Sequence, residues 1–131
     1  MPLDLFSGTW IFDPEMSRLT WPSPHRWVQF VSAREERLRI REEIVRGSAT
    51  STVEVDAAID GSFYPVSGST MADEIAYHFQ GGALAGIGRK AGQDAFREVI
   101  TVTENTMTAE FFLILKDREV PIGIAHFDKE Q

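Results

Sequence analysis

Four side chains with acid–base or hydrogen-bonding chemistry fall within apolar rows of this chain: Glu42, Tyr77, Glu98 and His126. Alternate residues of a β-strand point to the same face, so each row carries its polar member to the face of its apolar neighbours. A carboxyl group shielded from water has a raised pKa, which suits it to acid–base catalysis or to orienting a ligand's hydroxyl, amine or carbonyl. These four residues are therefore the first candidates for a functional site.

The apolar walls of such a site come from the last two predicted strands. Segment 106–116 places Phe111 and Leu113 on one apolar face, and segment 120–128 places Ile124 and His126 on the equivalent face. No residue is assigned a catalytic role. The predicted ligand-binding residues are Glu42, Tyr77, Glu98, Phe111, Leu113, Ile124 and His126.

A one-residue bulge would reverse the facing of such a row. In segment 94–104 it would turn Arg97 inward and Glu98 into solvent, so the sequence leaves the facing of these two residues open. A lone histidine beside apolar residues is also commonly structural. His25, His78 and His126 show no spacing typical of zinc ligands, and no metal site is predicted.

The elements that must position these residues are short strands joined by tight turns. Alternating segments at 27–32, 37–46, 52–59, 63–66, 73–79, 84–90, 94–104, 106–116 and 120–128 follow a first strand at the N-terminus. This spacing predicts an all-β fold, a single antiparallel up-and-down β-barrel of about eight to ten strands. A short helical turn is expected at 13–19, with Asp13 as N-cap and Pro14 at the first helical position.

Two local alternatives accompany this prediction. Residues 33–46 contain helix formers, with Glu35 and Arg39 at helical spacing, but Leu38 and Ile40 would lie roughly 200° apart on a helix, which favours a strand. Trp21 and Trp27 flank a proline-rich loop, where they form either a lid over the barrel mouth or part of its wall.

Composition narrows the class of protein. A length of 131 residues suits one domain over 1–131, and the absence of cysteine fits a reducing, cytoplasmic setting. The formal charge of −7 disfavours nucleic acid and anionic membranes as partners. The first five residues do not have the pattern of a secretory leader.

A family resemblance rests on the N-terminal motif and on one hairpin. Gly8-Thr9-Trp10, preceded by Leu5 and Phe6, resembles the first motif of the lipocalin and calycin group. Segments 8–13, 17–19 and 60–68, with Asp73, are similar to small bacterial lipocalin-like proteins of unassigned function, and this second resemblance covers nearly the whole chain.

The resemblance implies a barrel that carries a small apolar ligand, closed at one end by Trp10 as a plug with Gly8 beneath it. In fatty-acid carriers of the group an interior arginine holds a carboxylate, which makes Arg97 a candidate. In haem-binding barrels a histidine lies near the C-terminal end, as His126 does here. The chain departs from typical lipocalins because it lacks their Thr-Asp-Tyr segment, their disulfide and the helix after the last strand.

The predicted function is binding of a small, largely apolar molecule inside the barrel, without a cofactor. Homodimerisation is left open. Three alternatives remain: a haem-binding barrel, a packed barrel that acts by self-association, and an enzyme of the isomerase, lyase or cyclase type. In the enzyme, Glu42 or Glu98 would be the acid or base and Tyr77 or His126 its partner.

Overall fold

The computed structural model describes residues 3–130 and forms one closed antiparallel barrel. A short 3-10 turn (Leu3–Phe6) leads into the first strand. The strands are β1 (Gly8–Leu19), β2 (Arg26–Arg34), β3 (Arg37–Arg46), β4 (Ala49–Ala58), β5 (Phe63–Ser67), β6 (Glu74–Gln80), β7 (Ala83–Lys90), β8 (Gln93–Val102), β9 (Thr106–Ile114) and β10 (Glu119–Lys129). Each strand pairs with its neighbours in sequence and β1 pairs with β10, which confirms the predicted up-and-down barrel. No helix within residues 3–130 is long and apolar enough to cross a bilayer.

Residues 33–46 form two strands rather than a helix. Arg34 pairs with Arg37, so Glu35 and Glu36 alone make the turn, and both have positive φ, at 55° and 58°. Positive φ at both central positions is the geometry that matches the twist of a two-residue hairpin. The alternation of Leu38 and Ile40 outweighed the helix propensity of the glutamates.

The helical turn expected at 13–19 is absent, because this segment is the second half of β1. Asp13 pairs with His126 and Arg18 with Ile124, so four residues of β1 bulge out against one of β10. The side chain of Asp13 accepts hydrogen bonds from the backbone N–H groups of Glu15 and Met16, which is the capping chemistry expected of it. The Asp13 side chain therefore stabilises a local turn within the bulge of β1 and does not begin a helix.

A second bulge lies in β10. It reverses the facing predicted for Ile124 and His126. Pro121 pairs with Phe112 and Gly123 with Phe111, so Ile122 has no partner on β9 and the alternation shifts by one residue. Proline has no N–H for the ladder, and the Ile122 carbonyl accepts hydrogen bonds from Thr20 instead. The predicted inward facing of Ile124 and His126 is therefore wrong. Ile124 is 37% exposed, and Ala125 and Phe127 are buried in place of that pair.

The two ends of the barrel differ. One end, with the 3-10 turn and the β2–β3 and β8–β9 hairpins, is packed solid around Trp10, whose Nε1 donates a hydrogen bond of 2.8 Å to the Phe6 carbonyl. Residues of this packed end include Phe6, Trp10, Ala33, Leu38, Ala57, Leu84, Val102, Met107 and Phe127. The opposite end, with the β1–β2, β3–β4 and β5–β6 connections, is hollow.

Candidate ligand-binding cavity

The hollow end encloses a cavity of about 560 Å³, a size typical of small-molecule sites. Its walls are mainly apolar. The apolar lining includes Ile40, Ile44, Val53, Val55, Val66, Ile75, Phe96, Ile100, Ala109, Phe111 and Ile122, together with Trp21, Trp27, Met71 and Ala72.

Glu42 provides the first acidic group of the cavity. It lies on β3 opposite Gln29 of β2, and the neighbouring Trp27 donates a hydrogen bond of 2.7 Å from Nε1 to Glu42 Oε1. Burial raises the pKa of Glu42, and the Trp27 hydrogen bond opposes that rise. Glu42 is partly buried and lines the cavity.

Glu98 provides the second acidic group. It lies on β8, and the hydroxyl of Tyr77 is 3.4 Å from its Oε1. Burial, followed by the negative charge of Glu42, raises the pKa of Glu98 to about 8. Burial and the charges of both acids also raise the pKa of Tyr77 well above its usual value, so Tyr77 is a neutral donor.

Gly86 makes the contact between Tyr77 and Glu98 possible. In the sheet Gly86 lies between these two residues, pairing with Tyr77 on β6 and with Glu98 on β8. A Cβ at position 86 would lie 3.0 Å from Tyr77 Cε1 and 3.2 Å from Glu98 Cγ. Gly88 plays the corresponding part for the Phe96 ring, which occupies the space a side chain would take. The glycines of β7 thus create room inside the barrel.

The outer end of the cavity is bounded by loop residues. Trp21 follows β1 and packs edge-on against Phe111, with ring centroids 5.7 Å apart, and residues 69–72 line the cavity from the β5–β6 connection. Among the cavity-lining residues within 3–130, Arg46 is the one basic side chain. Its guanidinium is exposed and donates to the Pro22 carbonyl at 3.0 Å. The positive charge therefore lies at the rim, away from the two acids.

Four of the predicted ligand-binding residues meet in this cavity: Glu42, Tyr77, Glu98 and Phe111. Leu113 continues the row of Phe111 along β9 and pairs with Phe96, but it does not border the cavity.

The other two predicted residues, Ile124 and His126, lie outside the barrel. The His126 ring is 3.3 Å from the Thr108 hydroxyl, and its backbone N–H donates to Ser17 Oγ. His126 therefore cannot form the predicted interior acid–base pair with Glu98, nor coordinate a haem held in the cavity. Within residues 3–130, no three His, Cys, Asp or Glu side chains cluster in a way that could hold a metal ion.

The structure settles the facing of Arg97 and Glu98. Glu98 faces the cavity, and Arg97 is on the outer face, where its guanidinium donates to Glu119 at 2.8 Å and packs over the Phe112 ring. Arg97 is thus not the interior arginine of a carboxylate site.

The structure also gives the positions of the three tryptophans that the sequence analysis considered. Trp10 lies fully buried in the packed end, with Gly8 two residues before it at a φ of +146°. Trp27 is a buried wall residue rather than a lid, whereas Trp21 lies at the mouth.

Sequence reasoning missed Gln29 as a cavity residue and Trp27 as the hydrogen-bond donor to Glu42. The signal for both was present, since Trp27, Gln29, Val31 and Ala33 form one alternating row. The role of Gly86 carried no such signal, because it depends on which residues lie on either side of it in the sheet.

The fold has a counterpart among solved structures. A mutant of the fluorescent protein UnaG matches with a TM-score of 0.69 over 98% of each chain, at 11% sequence identity. At that identity the likeness concerns the fold alone, and it agrees with the up-and-down barrel predicted from the sequence. No protein-family model matches the chain, and no curated protein matches its sequence.

Proposed function

We propose that this barrel binds a small, largely apolar molecule in its interior cavity, oriented by Glu42, Tyr77 and Glu98. The main evidence for this proposal is an apolar cavity of about 560 Å³ that is also lined by these three polar side chains, which come from separate strands. Apolar walls provide most of the binding free energy in such sites, and a few polar groups fix the orientation of the ligand.

The likeness to a fluorescent protein agrees with this proposal at the level of fold. The lipocalin-like, bacterial and cytoplasmic assignments made from the sequence belong to the same proposal. The proposal also includes that the protein binds neither nucleic acid nor membranes, because its formal charge of −7 disfavours both.

The experiment pairs a cavity-filling variant with a control one residue away. Val53 borders the cavity from β4, and Thr52 is its exposed neighbour. Val53→Trp places an indole in the cavity, whereas Thr52→Trp places the same group outside. Binding of Nile red, a neutral apolar dye, is measured by fluorescence, and native mass spectrometry of protein isolated from its host detects a retained ligand.

We expect the wild-type protein and Thr52→Trp to bind the dye, and Val53→Trp to lose at least about tenfold in affinity. Equal dye binding by all three folded proteins would contradict interior binding. Failure of the folded wild-type barrel to bind the dye or to retain any ligand would do so as well.

A further inference from the structure

We propose that the cavity selects an apolar molecule bearing a protonated amine, held between the carboxyl groups of Glu42 and Glu98. This inference rests on the proposed function and adds the chemical class of the ligand. It comes from a count of donors and acceptors inside the cavity.

The two carboxyl groups have more acceptor capacity than the protein uses. Each carboxylate offers about four lone-pair sites. Within residues 3–130, Glu42 accepts one hydrogen bond, from Trp27, and Glu98 accepts one long hydrogen bond, from Tyr77. Both glutamates line the cavity. A ligand that donates hydrogen bonds would satisfy their remaining acceptor positions.

Charge favours an amine over the other common polar groups. A ligand carboxylate would face two acids, and the one basic side chain lining the cavity within residues 3–130, Arg46, is at the rim and bonded to Pro22. A hydroxyl group donates a single hydrogen bond. An ammonium group donates three and brings the positive charge that a buried carboxylate pair needs.

The expected coupling between ligand binding and the protonation of Glu98 also favours an amine. Besides the two acids, the ionisable side chains that line the cavity within residues 3–130 are Tyr77 on β6 and Arg46 at the rim. The residues paired beside the acids are Gln29, Val53, Gly86 and Phe111. None of those four is ionisable. Because the pKa of Glu98 is about 8, the empty barrel holds a proton there at neutral pH. A bound cation favours the carboxylate, so binding should release that proton.

The test compares three probes with the same alkyl chain: decylamine, decanol and decanoate. Affinities are measured by isothermal titration calorimetry for the wild-type protein, Glu42→Gln, Glu98→Gln and the control Glu110→Gln. Glu110 is an exposed acid on the outer face of β9, next to the cavity residue Phe111. Glutamine keeps the shape of glutamate, removes its charge and replaces one acceptor oxygen by an N–H donor group. Decanol binding tests the proposed function, and the difference between decylamine and decanol tests the inference.

We expect decylamine to bind at least about tenfold more tightly than decanol at about pH 8, and decanoate to bind most weakly. Either cavity variant should lose about tenfold or more of the decylamine affinity and keep that for decanol, and Glu110→Gln should change neither. Equal binding of the three probes, or a preference for decanoate, would overturn the amine inference and leave interior binding standing. If the folded protein binds none of the probes, both proposals fail.

Proton release gives an independent readout. Titrations at about pH 7 in two buffers of different ionisation enthalpy should show release of about one proton per decylamine bound, and clearly less in Glu98→Gln. Below pH 8 the decylamine affinity should rise with pH, by up to about tenfold per unit. Proton uptake, or no exchange in the wild-type protein, would contradict the placement of the amine beside Glu98.

Discussion

At the scale of single residues, the two cavity acids differ in how well their negative charge is stabilised. Glu42 accepts a hydrogen bond of 2.7 Å from the Trp27 indole, whereas the Tyr77 hydroxyl is 3.4 Å from Glu98. The charge of Glu42 contributes to the raised pKa of Glu98. Glu42 is therefore the carboxyl that ionises first, and Glu98 is the one that keeps its proton at neutral pH.

Replacing Glu98 by glutamine should make stability less dependent on pH. The pKa of Glu98 is about 8 in the folded barrel and near 4.5 in the unfolded chain, so between these values the folded state binds more protons. The free energy of unfolding therefore falls as pH rises from about 5 to about 8. Glu98→Gln removes this loss, and we expect it to be more stable than the wild-type protein by about 1–3 kcal/mol at about pH 9 and similar to it at about pH 5.

Chemical denaturation across that pH range measures the effect, with Glu110→Gln as the exposed control. A wild-type stability that increases between about pH 5 and pH 9, or a Glu98→Gln curve parallel to that of the wild type, would contradict the assignment.

Replacing Trp27 by phenylalanine should lower the free energy of unfolding, because it removes the indole N–H that bonds to Glu42. The substitution keeps an aromatic ring against Phe12 and Phe127 but leaves Glu42 without the donor that offsets its burial. We expect a loss of about 1–3 kcal/mol at alkaline pH and a smaller loss in acid, because the indole N–H stabilises the charged form of Glu42. Trp21→Phe, at the cavity mouth, is the control. Equal losses at both pH values would mean that packing, rather than the hydrogen bond, explains the effect.

At the scale of elements, alternation predicted the strands well, but it could not locate the bulges. Glu42, Tyr77, Glu98 and Phe111 face the cavity because the pairings β2–β3, β6–β7 and β8–β9 are regular around them. His126 follows a shift at Pro121 that reverses its facing. Such a shift depends on how β10 fits between β1 and β9, which is tertiary information. Gln29 could have been predicted, since it belongs to the regular row of β2.

The β5–β6 connection depends on one glycine. Gly68 has a φ of +81°, and a Cβ there would overlap the Thr52 carbonyl oxygen of β4. This close approach positions residues 69–72 along the cavity. Gly92 has a φ of +79° with open space around it, so Gly92→Ala is a control that shares the backbone strain without the clash.

We expect Gly92→Ala to cost about 1–2 kcal/mol and Gly68→Ala to cost about 1–3 kcal/mol more. Urea denaturation measures both. Hydrogen exchange should also show faster exchange confined to 68–73 in Gly68→Ala. Equal destabilisation by the two variants would mean that the contact with Thr52 does not hold this connection.

At the scale of the whole molecule, we expect one end of the barrel to provide most of its stability and the other end to bind the ligand. The packed end has the buried Trp10 and Phe6, and the hollow end has the cavity and Trp21. The barrel is closed, but its pairing is less complete toward the hollow end, where β1 pairs with β2 only over Gly8–Ile11 and β4 pairs with β5 only at Glu54 and Val55. Cavity size at one end can therefore vary while packing at the other maintains the fold.

Two tryptophan variants should separate these tasks. Trp10 is fully buried, so Trp10→Ala should lower the free energy of unfolding by about 3–5 kcal/mol. Trp21 lies at the mouth against Phe111, so Trp21→Ala should cost less than about 2 kcal/mol, because its ring is only partly buried, and should speed the dissociation of Nile red. Urea denaturation gives the stabilities, and stopped-flow fluorescence gives the dissociation rates. If Trp21→Ala destabilised the protein as much as Trp10→Ala, or left the dissociation rate unchanged, the division between a stabilising end and a binding end would be wrong.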